Sequence, residues 1–99
     1  MASPDRGVIL LAAEDNCVVV SRGLAAGDRV LLDGREFSLP HALGIGHKLA
    51  RCAIAPGEKV LKYGAPIGHA TAPIAAGEHI HLHNLASDYI ATVNAWQPN

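Results

Sequence analysis

Three histidines, His79, His81 and His83, alternate near the end of the chain. On a β-strand, side chains at i, i+2 and i+4 share one face, with about 6.6–6.8 Å of rise between successive pairs. Two imidazoles at i and i+2 can converge on one cation, so His-x-His on a strand is a metal-binding element. We therefore predict His81 and His83 as metal ligands, which alone are too few for a tight site. The alternative is that these histidines are exposed or only form hydrogen bonds.

Five further polar residues could bind a substrate beside this pair. Asn84 follows directly, and its carboxamide could hold a substrate hydroxyl or carboxylate, or orient an imidazole. His47 and Lys48 place an imidazole and an ammonium group where a strand begins, and the ammonium would attract an anion. Asp15 and Asn16 lie in an early turn, where such side chains also commonly bond to their own backbone. We predict all five as part of an active-site edge.

No set of residues completes a stand-alone catalyst. The sequence has no glycine-rich phosphate loop, no nucleophile elbow and no pair of carboxylates in a suitable context. Its 99 residues provide one domain and no room for a second core. We therefore expect the chain to be inactive alone.

Composition argues against two classes of partner. The formal net charge is −1, and Lys and Arg are scattered among Asp and Glu, so there is no basic footprint for nucleic acid. The N-terminal residues lack signal-peptide features, and the apolar run 8–13 is too short to span a bilayer.

Cys17 and Cys52 show no CxxC spacing, so we expect both to be buried, reduced thiols within strands. These features favour a cytoplasmic protein.

The apolar core is expected to be modest. Hydrophobic residues make up 49% of the chain, but many are alanines, and there are only one Trp, one Phe and two Tyr. Large apolar side chains supply most of the burial free energy, at roughly 25 cal/mol per Å². A partner surface, from a larger chain or from a second copy of this one, would add to that core.

Short apolar runs separated by Gly, Pro and Asp-Gly predict an all-β domain. The expected strands are 8–11, 17–20, 29–32, 35–38, 47–54, 59–63 and 78–83. Asp33-Gly34 favours a two-residue type I′ loop between the third and fourth of these strands. A helical turn is expected near 85–90, with a frayed end after it.

One segment recurs three times along the chain. Its pattern is an apolar residue, two small residues, Gly, an acid, a polar residue and a β-branched residue, and it begins at Leu24, Ile54 and Ile74. The Gly allows a positive φ, and the acid begins the next strand. We predict that each repeat is a sharp corner of a folded-over sheet. The acids Asp28, Glu58 and Glu78 therefore receive no catalytic role.

Taken together, these segments resemble the small domain of altronate dehydratases. The resemblance lies in Asp15-Asn16, a GHKxA segment at 46–50, a KYGxPIG segment at 62–68 and an HxHN ending at 81–84, and it covers about residues 8–90. It implies a SAF-type domain with a compact β-clip fold over residues 1–92. Residues 93–99 would then be a frayed tail or a linker to a large catalytic domain.

The resemblance also implies a chemistry and a partner. A large catalytic subunit or domain would carry most of the active site, and the substrate would be a small anionic sugar acid, a hexonate. The reaction would be a hydro-lyase reaction: a base removes the proton α to the carboxylate, and water leaves from the β carbon to give a 2-keto-3-deoxy acid. A divalent metal, Fe²⁺ or Mn²⁺, held mainly by the partner, would stabilise the enediolate.

Two alternatives remain open at this point. The related sulfolactate sulfo-lyase also has a small subunit and eliminates sulfite instead of water, although a sulfonate site should need more cationic donors than Lys48. A free-standing SAF-like binding module, such as one that binds carbohydrate, is the other alternative. A purely structural module would leave the His-x-His-Asn segment unexplained.

Overall fold

Residues 7–87, which the computed structural model describes, form short antiparallel strands joined by tight turns, with no helix among them. The strands are β1 (Val8–Ile9), β2 (Cys17–Val20), β3 (Arg29–Leu32), β4 (Arg35–Ser38), β5 (Lys48–Ala50), β6 (Lys59–Lys62), β7 (Ala65–Ala70), β8 (His79–Ile80) and β9 (Leu85–Ala86). They form a four-stranded sheet in the order β1-β2-β5-β8, a β3-β4 hairpin and a three-stranded sheet in the order β6-β7-β9. The all-β prediction is confirmed.

The predicted strands 17–20, 29–32 and 35–38 occur with the expected bounds. Asp33 and Gly34 both have positive φ, 50° and 83°, as a type I′ turn requires. The strands expected at 8–11, 47–54 and 59–63 are present but shorter.

Two expectations near the C-terminal side were wrong, and one strand was not expected. The strand expected at 78–83 ends at Ile80, and residues 81–84 form a turn. The helical turn expected near 85–90 begins instead as strand β9, and its last three residues, like the tail 93–99, lie outside the described residues. Strand β7 was not expected, because it contains Pro66 and Gly68, residues that are depleted in strands. Its pairing with β6 shifts register between Val60 and Leu61.

All three predicted corners are confirmed. Gly27, Gly57 and Gly77 have φ of 88°, 84° and 84°. In each corner the carboxylate of the acid accepts a hydrogen bond of 2.8–2.9 Å from the backbone N–H three residues earlier, as in the Asp28 bond from Ala25. The acids therefore cap their own turns, in agreement with the structural role that we assigned to them.

The structure contains a fourth corner, which begins at Leu43. Gly46 has a φ of 91°, and Leu43 exchanges backbone hydrogen bonds with Leu24, as Ile54 does with Ile74. The fourth corner differs in one respect: His47 stands where the other corners have the acid.

The four corners divide the chain into two similar halves, each with its own apolar cluster. The first cluster contains Val8, Val18, Val20, Leu24, Val30, Leu32, Leu39 and Leu49. The second contains Cys17, Ala50, Ile54, Val60, Ala70, Ile74 and Ile80. Most members correspond at an offset of 30 or 31 residues, as Leu24 does to Ile54 and Leu49 does to Ile80. Each half therefore packs one hairpin and two corners around a small core.

The cysteines differ from each other, contrary to expectation. Cys17 is buried in β2 and its thiol donates a hydrogen bond to the Leu61 carbonyl, at 3.2 Å. Cys52 is exposed and follows β5, so the prediction that it is buried within a strand was wrong. Among residues 7–87 there is no helix long and apolar enough to cross a membrane.

Candidate histidine site

The site is built where β5 and β8 pair at the end of the four-stranded sheet. Leu49 of β5 pairs with His79 of β8, and Lys48 pairs with Ile80. Because the two strands are antiparallel, this register places His47, which directly precedes β5, beside the end of β8 and next to His81. Because His47 replaces the capping acid, its ring faces the neighbouring strand, and its Nδ1 lies 3.0 Å from Nε2 of His79.

A third imidazole completes the cluster. The ring centroids of His47, His79 and His81 are 5.0–5.4 Å apart, and the rings of His79 and His81 are nearly parallel, at 9°. One ring nitrogen from each residue lies within 4.8 Å of the other two. His47 and His79 are half-buried and His81 is exposed, so the cluster opens to solvent on one side.

The predicted pair of His81 and His83 is not what the structure brings together. Because β8 ends at Ile80, the two residues lie in a turn and do not alternate along a strand. His81 joins His47 and His79, whereas the ring of His83 lies 6.0 Å from that of His79 and outside the group of three. Metal ligation by His83 stays a prediction.

Asn84 shapes the turn that carries these histidines. Its side chain is only 2% exposed, its Nδ2 donates to the His79 carbonyl and its Oδ1 accepts from the His81 N–H, both at 2.9 Å. These bonds replace strand pairing after Ile80 and explain why the strand stops there. Both bonds are made to backbone groups, so the expected hydrogen bond from this carboxamide to an imidazole stays a prediction, as does a direct contact with substrate.

Asp15 and Asn16 hold the second hairpin in place. The buried Asp15 carboxylate accepts hydrogen bonds from the backbone of Tyr63 and Gly64, at 2.9 and 2.7 Å, and from Ala12 at 3.1 Å. The Asn16 side chain bonds to the backbone of Lys59 and Leu61, on either side of the register shift in β6. Their contribution to an active-site edge stays a prediction, and their contacts are those of scaffold residues.

The electrostatics of the cluster favour a neutral imidazole at His79. Burial lowers the pKa of His79 below its ordinary value of 6.5, and the neighbouring His47, His81, His83 and Lys48 lower this pKa further. A neutral imidazole presents a lone pair, which is the form that ligates a metal or accepts a proton. Three nitrogen donors that converge from two elements fit a divalent transition metal.

An apolar cavity of about 390 Å³ adjoins the cluster. Its wall includes Leu39, Leu43 and Leu49 from the first half and Glu78, His79 and His83 from the second. Glu78, His79 and His83 thus contribute polar groups to a cavity whose wall is largely apolar.

His47 is the cluster member that sequence reasoning placed in a secondary role. The signal that could have placed it with His79 is the corner pattern itself: Leu43-Gly44-Ile45-Gly46-His47-Lys48-Leu49 repeats the other corners with histidine in the acid position. This corner leads into β5 as the corner at Gly77 leads into β8, and these two strands pair.

The fold and the site define a small all-β domain that presents histidines at the end of a sheet. The sequence matches the family described as "Altronate/galactarate dehydratase SAF domain" over residues 6–88. The chain therefore belongs to the altronate/galactarate dehydratase SAF domain family.

Individual relatives agree with this assignment. The chain is 46% identical over 76 residues to the altronate dehydratase of Escherichia coli K12, and 35% identical over 79 residues to that of Bacillus subtilis 168. These matches cover 77% and 80% of this chain but only 15% and 16% of the relatives. The alpha subunit of the (2R)-sulfolactate sulfo-lyase of Chromohalobacter salexigens is 40% identical over 78 residues, which cover 69% of this chain and 79% of that subunit.

Proposed function

We propose that this chain is the SAF domain or small subunit of a cytoplasmic, altronate-type hydro-lyase, and that it is active only with a large catalytic partner. The observation that carries this proposal is the histidine cluster at one end of a domain whose relatives include altronate dehydratases. The small share of those relatives that the chain spans supports a division of labour with a larger part.

The surface beside the cluster is suited to such a partner. Leu82, between His81 and His83, is 76% exposed, and Ile45, two residues before His47, is 72% exposed. Large apolar side chains with this exposure gain free energy when a second surface covers them. We infer that the partner contacts both residues and so encloses the histidines together with the substrate.

The proposed reaction is the elimination of water from a hexonate. A base removes the proton α to the carboxylate, the β-hydroxyl leaves as water, and the resulting enol ketonises to a 2-keto-3-deoxy acid. In this chain the exposed imidazole of His83 would bind a substrate hydroxyl, and Lys48 would attract the carboxylate. A divalent metal, Fe²⁺ or Mn²⁺, held mainly by the partner, would supply charge stabilisation beside that carboxylate.

A second candidate is the small subunit of a sulfolactate sulfo-lyase. The observation that favours it is length, because this chain covers 79% of the sulfo-lyase alpha subunit. The two candidates share the same architecture and differ in the leaving group, sulfite or water, so they can be separated by substrate.

The experiment uses this chain, with an affinity tag, to purify its partner from the native extract, followed by assays with hexonates and with sulfolactate in the presence and absence of Fe²⁺. Recovery of a large partner with metal-dependent hexonate dehydration supports the proposal. Sulfite release from sulfolactate supports the second candidate. A folded chain that recovers no partner contradicts both and favours a free-standing carbohydrate-binding module.

A matched pair of variants tests the inferred contact surface. Leu82→Asp should abolish recovery of the partner, because it puts a charge into the contact. Tyr63→Asp is the control, since Tyr63 is similarly exposed, at 70%, but lies in the β6–β7 turn. If both variants lose the partner equally, or if neither variant loses it, Leu82 is not part of a specific contact surface.

A further inference from the structure

We propose that His47, His79 and His81 together bind a divalent transition-metal ion in this chain itself, without a partner. This goes beyond the proposed function, in which the metal of the elimination is held mainly by the large subunit. The proposal concerns a site that lies wholly within residues 47–81 and is assembled by the pairing of β5 with β8.

The first step of the argument is the distance between the two half-buried imidazoles. Two ligands at right angles, each about 2.1 Å from a metal, have their nitrogens about 3.0 Å apart, and tetrahedral ligands are about 3.4 Å apart. Nδ1 of His47 and Nε2 of His79 are 3.0 Å apart. In the metal-free protein this separation is a hydrogen bond between one N–H and one lone pair, and a cation would replace the shared proton.

The second step concerns the third ligand. His81 contributes a ring nitrogen within 4.8 Å of the other two, so a small rotation of the side chain brings it to ligand distance. His81 is exposed, and its ring lies beside the rings of His47 and His79, the two other proposed ligands. The three nitrogens would then lie on one side of the ion.

The third step is preorganisation, which lowers the cost of assembling the site. The β5–β8 register fixes the backbone of His79, and the corner at Gly46 fixes that of His47. The buried Asn84 side chain bonds to the backbone of both His79 and His81. These supports resemble the groups behind the ligands of metal sites, whose loss typically reduces metal affinity about 10–100-fold.

The ligand chemistry limits the kind of ion. Three imidazoles and no carboxylate in the cluster suit Zn²⁺, Fe²⁺, Ni²⁺ or Cu²⁺ rather than Mg²⁺ or Ca²⁺, which prefer oxygen ligands. Three protein ligands also leave at least one position open, as in catalytic metal sites. That position faces the exposed side of the cluster, where water or a carboxylate could enter.

The test is titration of the full 99-residue chain with Zn²⁺. Calorimetry measures the affinity and stoichiometry, and the ¹⁵N chemical shifts of the imidazoles identify the ligands. We expect one ion per chain, with the ring nitrogens of His47, His79 and His81 shifted most. His81→Ala should reduce the affinity at least about tenfold while leaving the fold intact, because this residue is exposed. His41→Ala, which removes an exposed histidine outside the cluster, should change the affinity less than about threefold.

The results that overturn the proposal are equally specific. Absence of saturable binding, or equal affinity of the His81→Ala and wild-type chains, would show that the cluster is held by hydrogen bonds alone. A larger loss of Zn²⁺ affinity in His83→Ala than in His81→Ala would show that the ion is bound by His83 and not by the proposed ligand His81. Since neither partner nor substrate is present, these results are independent of the success or failure of the proposed lyase function.

Discussion

Nδ1 of His47 and Nε2 of His79 lie 3.0 Å apart, although 32 residues separate them in the sequence. The pairing of β5 with β8 creates this contact, and the replacement of an acid by His47 in the fourth corner directs the ring toward it. Two imidazoles that share one hydrogen bond cannot both be protonated without repulsion. The ionisation of His79 is therefore linked to the stability of the fold.

This linkage predicts that the metal-free domain loses stability in acid. Burial, followed by the charges of His47, His81, His83 and Lys48, lowers the pKa of His79 below 6.5. The unfolded chain, with an ordinary pKa of 6.5, then binds the proton more readily than the folded chain. The contribution of His79 to the free energy of unfolding is fully present above pH 6.5. It falls as the pH decreases from 6.5 through the pKa of His79 in the folded chain.

Two measurements check this prediction. The imidazole resonances of His79 should titrate with a midpoint below 6.5, and the urea midpoint of unfolding should be lower at pH 5.5 than at pH 7.5. His79→Gln should show a smaller difference between the two pH values. A midpoint for His79 at or above 6.5 would contradict the assignment.

Replacement of Asn84 should destabilise the domain even though the preceding residues, Leu82 and His83, are exposed. Asn84→Ala removes the hydrogen bonds to the His79 carbonyl and the His81 N–H, and we expect a loss of about 2–3 kcal/mol in the free energy of unfolding. His83→Ala, in the same turn but exposed, should change it by less than about 0.5 kcal/mol. Chemical denaturation of the three proteins measures both, and equal stability of Asn84→Ala and wild type would remove the capping role.

Local sequence patterns predicted the features that depend on local interactions. The β3–β4 hairpin follows from Asp33-Gly34, whose positive φ values only a few residue types adopt, and the corners follow from their glycines. Strand β7 escaped this reasoning because its pairing tolerates Pro66 and Gly68. A backbone oxygen of Ala86 approaches Gly68 so closely that any side chain there would collide with it.

The composition of the histidine cluster could not be predicted in the same way. The expectation for His81 and His83 assumed a strand, and the buried Asn84 side chain ends that strand at Ile80. The contact between His81 and His47 depends on the β5–β8 register, which pairs residues that are far apart in the sequence. The residue types therefore predicted a candidate histidine site, but which histidines lie together depends on strand pairing.

The corner at Gly57 should require glycine because of its backbone and not because of crowding. Gly57 has a φ of +84°, and a Cβ built there would meet no atom within 4 Å. Gly57→Ala should cost about 1–2 kcal/mol, and the larger Gly57→Val should cost more. Gly23→Ala is the matched control, because Gly23 has equally open space but no positive φ. Thermal unfolding of both alanine variants should show a lower Tm for Gly57→Ala alone, and an unchanged Tm would refute the corner requirement.

The two cysteines should react at very different rates in the native protein. Burial, and secondarily Asp15, raises the pKa of the Cys17 thiol to about 11, whereas Cys52 is exposed. The thiolate is the reactive form, so a thiol reagent at pH 8 should modify Cys52 quickly and Cys17 only when the chain unfolds. Cys52→Ser should abolish the fast phase and Cys17→Ser should retain it. The reverse assignment would contradict the burial of Cys17.

His81 should contribute to the activity of the assembled enzyme more than to the stability of this chain. The residue is exposed, so His81→Ala should leave the Tm of the isolated chain within a few degrees of wild type. In the complex with the proposed large partner, the same change removes an imidazole from the proposed active-site edge. We expect kcat/KM for the proposed hexonate dehydration to fall at least about 100-fold, equivalent to about 2.7 kcal/mol. His41→Ala, another exposed histidine, should retain nearly full activity. Full activity of the His81→Ala complex would remove His81 from the reaction.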